Sequence, residues 1–220
     1  MSSIENPFQP PLPEQEIRDS KLELFDRLFR YGTIEKILPD QLPPDALKYF
    51  DGMNRRFVDP EDPPQVFNGF YKITYTDNSG LVTYVADKDM VYTDFDKTPK
   101  GFERNVFLYE MKGAEKTGHA ELRYRPKAKS DDAFKDKPFI GYNGTEKDFL
   151  HQGLARKRIF VMGAYSEMEW GLPLYSGDQN TMADGVWQSL VSDGLAEEVP
   201  NYTKKRKRYK LLLTGQKNSV

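Results

Sequence analysis

The sequence predicts an α+β fold: a central mixed, mostly antiparallel twisted sheet flanked by helices, with a proline-rich arm in front of it. Three observations carry this. Between Phe67 and Arg125 the chain runs in short segments that alternate apolar with polar residues, separated by turn residues, which is the period-two signature of half-exposed strands. On either side of that block apolar residues recur at helical spacing. Toward the C-terminus, residues 139–195 read in order as strand, turn, helix, short strand and second helix.

At 220 residues the chain fits one domain of moderate size with an appendage, divided here into an extended arm over 1–18 and a single domain over 19–220. Hydrophobic residues are 38% and charged ones 30%, a polar composition, but 13% aromatic residues are too many for a wholly disordered chain. A net charge of −2 supplies no global attraction to nucleic acid or to an anionic membrane. Without cysteine, disulfides, a thiol nucleophile and Cys-ligated metals are excluded; with only His119 and His151, so is a His-rich metal site. No run approaches the ~20 apolar residues of a membrane span, and the first residues lack a basic segment followed by an apolar one. The expectation is a soluble, cytoplasmic protein with no metal site and no membrane partner.

Taken in order, Pro7, Pro10, Pro11 and Pro13 suit an extended arm, either a free tail or a segment that docks on a partner subunit. From Asp19 to Ile37 the apolar residues have helical spacing with a break at Gly32, and a second short helix opens at Pro44. No strand is evident before these helices. The proline-rich stretch 59–64 separates them from the strands. Residues 67–76 and 81–86 form a hairpin about Asp77-Asn78-Ser79-Gly80, followed by strands over 90–95, 105–111 and 118–125, the last two paired. Residues 127–137 read as a charged loop, either solvated or a lid, and 139–142 as the strand before the turn. The next helix runs to Trp170, ended by Gly171 and Pro173. Leu172 to Tyr175 is a short buried strand, Thr181 and Asp184 form an acidic capping box, and Gly194 stops the last helix. Residues 196–199 and 209–213 make a terminal hairpin beside Lys204-Lys205-Arg206-Lys207-Arg208, the one stretch through which nucleic acid is a conceivable partner.

The turn Gln152-Gly153-Leu154-Ala155 and the cations Arg156, Lys157 and Arg158 that follow carry the chemistry. Small residues at alternate positions let backbone approach a ligand, and a helix that starts here aims its unpaired N–H groups and positive dipole end forward. A pyrophosphate is the natural guest. Downstream, Asn180, Ala183, Trp187 and Gly194-Leu195 recur in a fixed order along the second helix.

These two patterns together resemble the GNAT superfamily of N-acetyltransferases, over roughly 138–213. Gly153 and Ala155 match the small positions of the loop that holds the pyrophosphate of acetyl-CoA, while Leu150 stands where that loop has Arg or Gln. The resemblance implies a cofactor-binding set of Gln152, Gly153, Leu154, Ala155, Arg156 and Asn180, with acetyl-CoA as co-substrate and an amine-bearing small molecule or protein as acceptor. It also implies direct attack of the amine on the thioester in a ternary complex. Glu110 and Glu121, on predicted strands, are the candidate bases, with Glu146 and His119 as further ones. The family's thiolate-protonating Tyr corresponds to Trp187, which donates an N–H but has no acidic proton of useful pKa; this leaves direct proton transfer from the amine or water, another Tyr such as Tyr165 or Tyr175, or loss of activity. The opposing expectation is a catalytically weak or inactive protein of the same fold, an interaction or structural module. The small cysteine-free chain with its arm would suit a tailed phage or mobile element, and the arm a homo-oligomer or protein partner.

Overall fold

Residues that alternate along a strand divide between the two faces of the sheet it joins. The computed structural model describes residues 14–55, 67–77, 79–93, 99–126, 134–177, 180–200 and 207–213. Its elements are α1 (Glu14–Leu28), β1 (Gly32–Ile37), α2 (Pro44–Arg55), β2 (Gly69–Tyr75), β3 (Leu81–Thr93), β4 (Pro99–Lys112), β5 (Glu115–Tyr124), β6 (Phe139–Thr145), α3 (Leu154–Trp170), α4 (Thr181–Ser192), β7 (Ala196–Val199) and β8 (Arg208–Leu211). Strands β1 to β6 lie side by side in sequence order as an open, wholly antiparallel sheet, and β7 and β8 pair separately.

On β4, Val106 and Leu108 face one way and Phe107 and Tyr109 the other. The first face, with Ile73, Val85, Ala120 and Leu122, is covered by Phe25 and Phe29 of α1, Ile159 and Met162 of α3, and Trp187 and Leu190 of α4. The second, with Phe70, Ala86 and Met111, is covered by Ala46 and Phe50 of α2. Lys21 of α1 reaches Glu169 of α3 at 2.8 Å.

The hairpin β2–β3, the pairing of β4 with β5 and the terminal hairpin β7–β8 stand where the alternation put them. Helix α3 ends at Trp170 with Gly171 at φ 63°, the left-handed cap that glycine makes without strain.

Several expectations need correction. Residues 32–37 are a strand, not a continuation of the first helix: β1 pairs with β2 along its whole length, from Gly32 opposite Tyr75 to Ile37 opposite Phe70. Gly32 is required there because a Cβ would run into the β2 backbone at Thr74 and lie 2.9 Å from the Phe29 ring. Helix α1 begins at Glu14, ahead of the expected Asp19. Strand β3 continues unbroken from Leu81 to Thr93, because Asp87 and Lys88 are buried in the sheet rather than placed in a turn. The cap of α4 is Asn180, whose side chain accepts from the Ala183 amide at 2.9 Å, in place of the Thr181–Asp184 box. Of residues 172–175, Tyr175 alone makes a bridge, parallel to Phe139. The arm over 1–13, the break at 59–64, loop residues 127–133 and basic residues 204–206 lie outside the described residues.

No helix among the described residues is long and apolar enough to cross a membrane.

Candidate functional site

After Thr145 the chain makes a single 3-10 turn over Lys147–Phe149 and enters the left-handed region at His151 (φ 64°) and Gly153 (φ 75°). Nothing lies within 4 Å of where a Gly153 Cβ would be, so the backbone angle, not crowding, selects glycine. The amides of Arg156 and Lys157 both donate to the Gly153 carbonyl at 3.1 Å, which starts the helical ladder. The N–H groups of Leu154 and Ala155 precede it and are among the donors that a helix N-terminus leaves for outside acceptors.

The basic residues of this first turn each have a protein partner. Arg156 donates to Asp193 at 2.6 Å and to Ser189 at 3.3 Å, tying α3 to the end of α4. Lys157 is ion-paired with Asp77 of the β2–β3 turn, and this hydrogen bond holds the Asp77 carboxyl down at about 2. Arg158 is fully buried. Its guanidinium donates to Glu110 on β4 at 2.6 Å, to Asn143 on β6 at 2.9 Å and to Thr145. Glu110, also fully buried, further accepts from Thr117 at 2.8 Å and from Tyr75 at 3.3 Å. Burial, followed by the Glu110 charge, pushes the Tyr75 hydroxyl far above its ordinary pKa, so it stays a donor. Asn143 closes the network by donating to the Ala155 carbonyl at 2.9 Å, which fixes the first turn of α3 relative to β6. Gly118 makes room for it: a Cβ there would lie 2.5 Å from both the Arg158 guanidinium and the Gly144 carbonyl.

Beside this turn the sheet splits. The end of β6 next to α3's far terminus is joined to the returning chain: the Tyr175 amide donates to Pro138 at 2.8 Å and the Ile140 amide to Tyr175 at 3.1 Å. Ser176 and Leu174 in turn bond to Tyr209 and Leu211 of β8, extending the sheet through β8 to β7. The chain is next described at Asn180, the cap of α4. Residues 141–145 of β6 are therefore paired with β5 on one side, with no strand among the described residues on the other. Within this stretch the β5–β6 register shifts: Glu121 faces Tyr142 while Leu122 faces Ile140, leaving Gly141 as an extra residue.

Three candidates for proton transfer end up in three places. Glu110 belongs to the buried network on the α3 face. Glu121 lies on the opposite face, where Oε2 accepts from Arg123 at 2.8 Å and Oε1 is buried with no hydrogen-bond partner. Trp187 is 2% exposed and stacks on Tyr209, rings 5.8 Å apart and 4° from parallel. Tyr165 is buried with its hydroxyl donating to Asp87 at 3.2 Å, and Tyr175 sits at the bridge to β6. Of the proposed phosphate set, Gln152 is exposed and donates to the Asp148 carbonyl at 3.4 Å, and the Asn180 side chain is taken up by its capping bond. No group of three His, Asp or Glu side chains among the described residues is placed to hold a metal.

Asn143, Thr117 and Tyr75 are absent from the sequence reading, which sets Arg158 with Arg156 and Lys157 as cations beside a pyrophosphate. A signal was present for Arg158. It falls four residues after Leu154 and four before Met162, on the buried stripe of α3.

The chain matches no protein-family model, no curated protein and no solved structure.

Proposed function

We propose that the protein is a GNAT-type N-acetyltransferase that moves an acetyl group from acetyl-CoA to an amine. The observation that carries this reading is the coincidence of two unsatisfied backbone surfaces: the Leu154 and Ala155 amides at the start of α3, and the open edge of β6 over 141–145. The Asn143 side chain, bonded to the Ala155 carbonyl at 2.9 Å, brings the two together. In this reading the amides take the pyrophosphate, helped by the helix dipole. The pantetheine arm lies along the β6 edge as an added strand would, its amides bonding the free backbone groups. The thioester then lies near the Gly141 bulge. An acceptor amine attacks its carbonyl carbon, the C–S bond breaks, and the proton lost by the amine ends on the departing thiolate.

Glu121 is the candidate base that retains an unused carboxylate oxygen, and its side chain neighbours the bulge: a Cβ at Gly141 would lie 2.9 Å from Glu121 Oε2. Glu110 serves the fold through Arg158. A second reading, the same fold without turnover, is favoured by the paired state of Arg156 and Lys157 and by the packing of Trp187 against Tyr209.

Calorimetric titration with acetyl-CoA tests the proposal. Saturable binding is expected, lost in Gly153→Val, where the β-branched side chain at φ 75° strains the turn and lowers the melting temperature while a cooperative unfolding transition remains; unchanged affinity in that variant overturns it.

A further inference from the structure

Helix α2 presents a second face at the margin of the core, where Tyr49 packs against the buried cluster and Asp45 and Lys48 stand exposed. Asp45, Lys48, Tyr49 and Gly52 fall at i, i+3, i+4 and i+7, one stripe of the helix, and line one wall of an open groove of about 470 Å³. The other wall is the sheet, with Tyr109 of β4 and Lys116 of β5. A groove of this size is in the range of small-ligand sites. The space in front of Gly52 is open, with nothing within 4 Å of a Cβ built there.

Its chemistry is specific. The floor is aromatic, with the rings of Tyr49 and Tyr109 5.2 Å apart. Lys116 is already committed: its ammonium lies 2.5 Å from Glu146 and 5.8 Å from the centre of the Tyr109 ring. Asp45 and Lys48 have no ion-pair partner among the described residues, so the groove retains one carboxylate and one ammonium on the same helical stripe. The Tyr109 hydroxyl is held above its ordinary pKa, first by burial and then by the carboxylates of Asp45 and Glu146, a sign of negative potential at this end. An aromatic row leads from the groove toward the split sheet: Tyr49 meets His119 edge-on at 5.4 Å, and His119 stacks on Tyr142 of β6 at 4.8 Å.

We propose that this groove binds a small zwitterion with a planar or apolar body, an α-amino acid with an aromatic side chain, its ammonium on Asp45, its carboxylate on Lys48 and its ring against Tyr49 and Tyr109. Its identity as the acceptor rests on the acetyl-transfer reading; its binding does not. As acceptor, the ammonium first gives one proton to solvent, the amine then forms the C–N bond as the C–S bond breaks, its second proton passes to the departing thiolate, and the products are the N-acetyl amino acid and the CoA thiol.

The test is calorimetry with three probes: L-phenylalanine, L-phenylalaninamide, which lacks the carboxylate, and 3-phenylpropionate, which lacks the ammonium. L-phenylalanine is expected to bind, and each analogue to bind about tenfold more weakly or worse, the loss of one charged contact. Asp45→Asn should erase the advantage over 3-phenylpropionate alone, and Lys48→Met that over the amide alone; both are exposed helix positions where folding tolerates change. No binding of L-phenylalanine, or equal binding of the three probes, overturns the proposal. The same samples titrated with acetyl-CoA separate the two claims: amino-acid binding without acetyl-CoA binding sinks acetyl transfer and leaves the groove, and the converse does the opposite. If both bind, mass spectrometry should find N-acetyl-L-phenylalanine, and its absence removes the acceptor role.

Discussion

Arg158 on α3 and Glu110 on β4, 48 residues apart in sequence, meet at 2.6 Å with both side chains wholly excluded from solvent. Desolvating two charges is costly, and the cost is offset here because, with Asn143, Thr145, Thr117 and Tyr75, each guanidinium nitrogen and each carboxylate oxygen has a hydrogen-bond partner. Removing one partner leaves the other charge stranded. Arg158→Met alone should lower the unfolding free energy by about 3–5 kcal/mol in urea titration, and adding Glu110→Leu to it should recover part of that loss. A double variant as weak as the sum of the two singles would show that the residues act independently.

Gly118 should tolerate no side chain while Arg158 is present. A methyl group there would press on the guanidinium and on a backbone carbonyl that cannot move aside. Gly118→Ala is expected to cost about 1–3 kcal/mol, and less in the Arg158→Met background. Equal costs in the two backgrounds would place the clash elsewhere.

Stability should carry a pH signature from Asp87. Burial raises its carboxyl from 3.8 to about 6, outweighing the attraction of Arg104 at 2.6 Å. A raised carboxyl pKa favours the protonated group in the folded state. The contribution of Asp87 is thus fully present below pH 4 and is lost as pH rises to 6, by about 3 kcal/mol for a two-unit shift. Asp87→Asn should match the parent protein near pH 4 and become the more stable of the two above pH 6. A difference that does not change across that window would refute the assignment.

Trp187→Tyr distinguishes packing from chemistry at the position where the proposed acetyl transfer would call for a catalytic hydroxyl. The indole is 2% exposed and parallel to the Tyr209 ring, and Tyr209 is itself held by a 2.7 Å bond to Asp184, its pKa pushed up to about 12 by burial and that bond. The smaller ring should cost roughly 1–3 kcal/mol in stability with no gain in acetyl-CoA turnover. An increase in turnover would return the position to the reaction centre.

The parts of the fold legible in the sequence were those where local pattern and tertiary role agree. Strands β2 and β5 alternate because one face of each is more polar than the other, β4 runs apolar over 106–109 because both of its faces are covered, and α3 ends where Gly171 ends it. Strand β1 hid because its burial is irregular: Ile34 and Ile37 are inside and Thr33, Glu35 and Lys36 outside, a three-residue interval that mimics a helical face. The sequence reading leaves Asp87-Lys88-Asp89 between two strands because the partner that makes Asp87 tolerable inside the sheet, Arg104, comes 17 residues later. The glycine turn was legible as a local conformation. Its attachment to the sheet through Asn143 was not, because a polar residue on a strand gives no sign of which carbonyl it will find.

The open edge of β6 has a consequence for the behaviour of the chain in bulk. Free amides and carbonyls along an extended segment are a template for any other extended segment, including the same one in a second molecule. The extra residue at Gly141 twists the edge and shortens the run that a foreign strand could follow, but 142–145 stay available. A guest that fills this slot therefore acts as an anti-aggregation agent: concentrated, unoccupied protein is the form expected to scatter light and grow into oligomers, and a saturating ligand should keep it monodisperse.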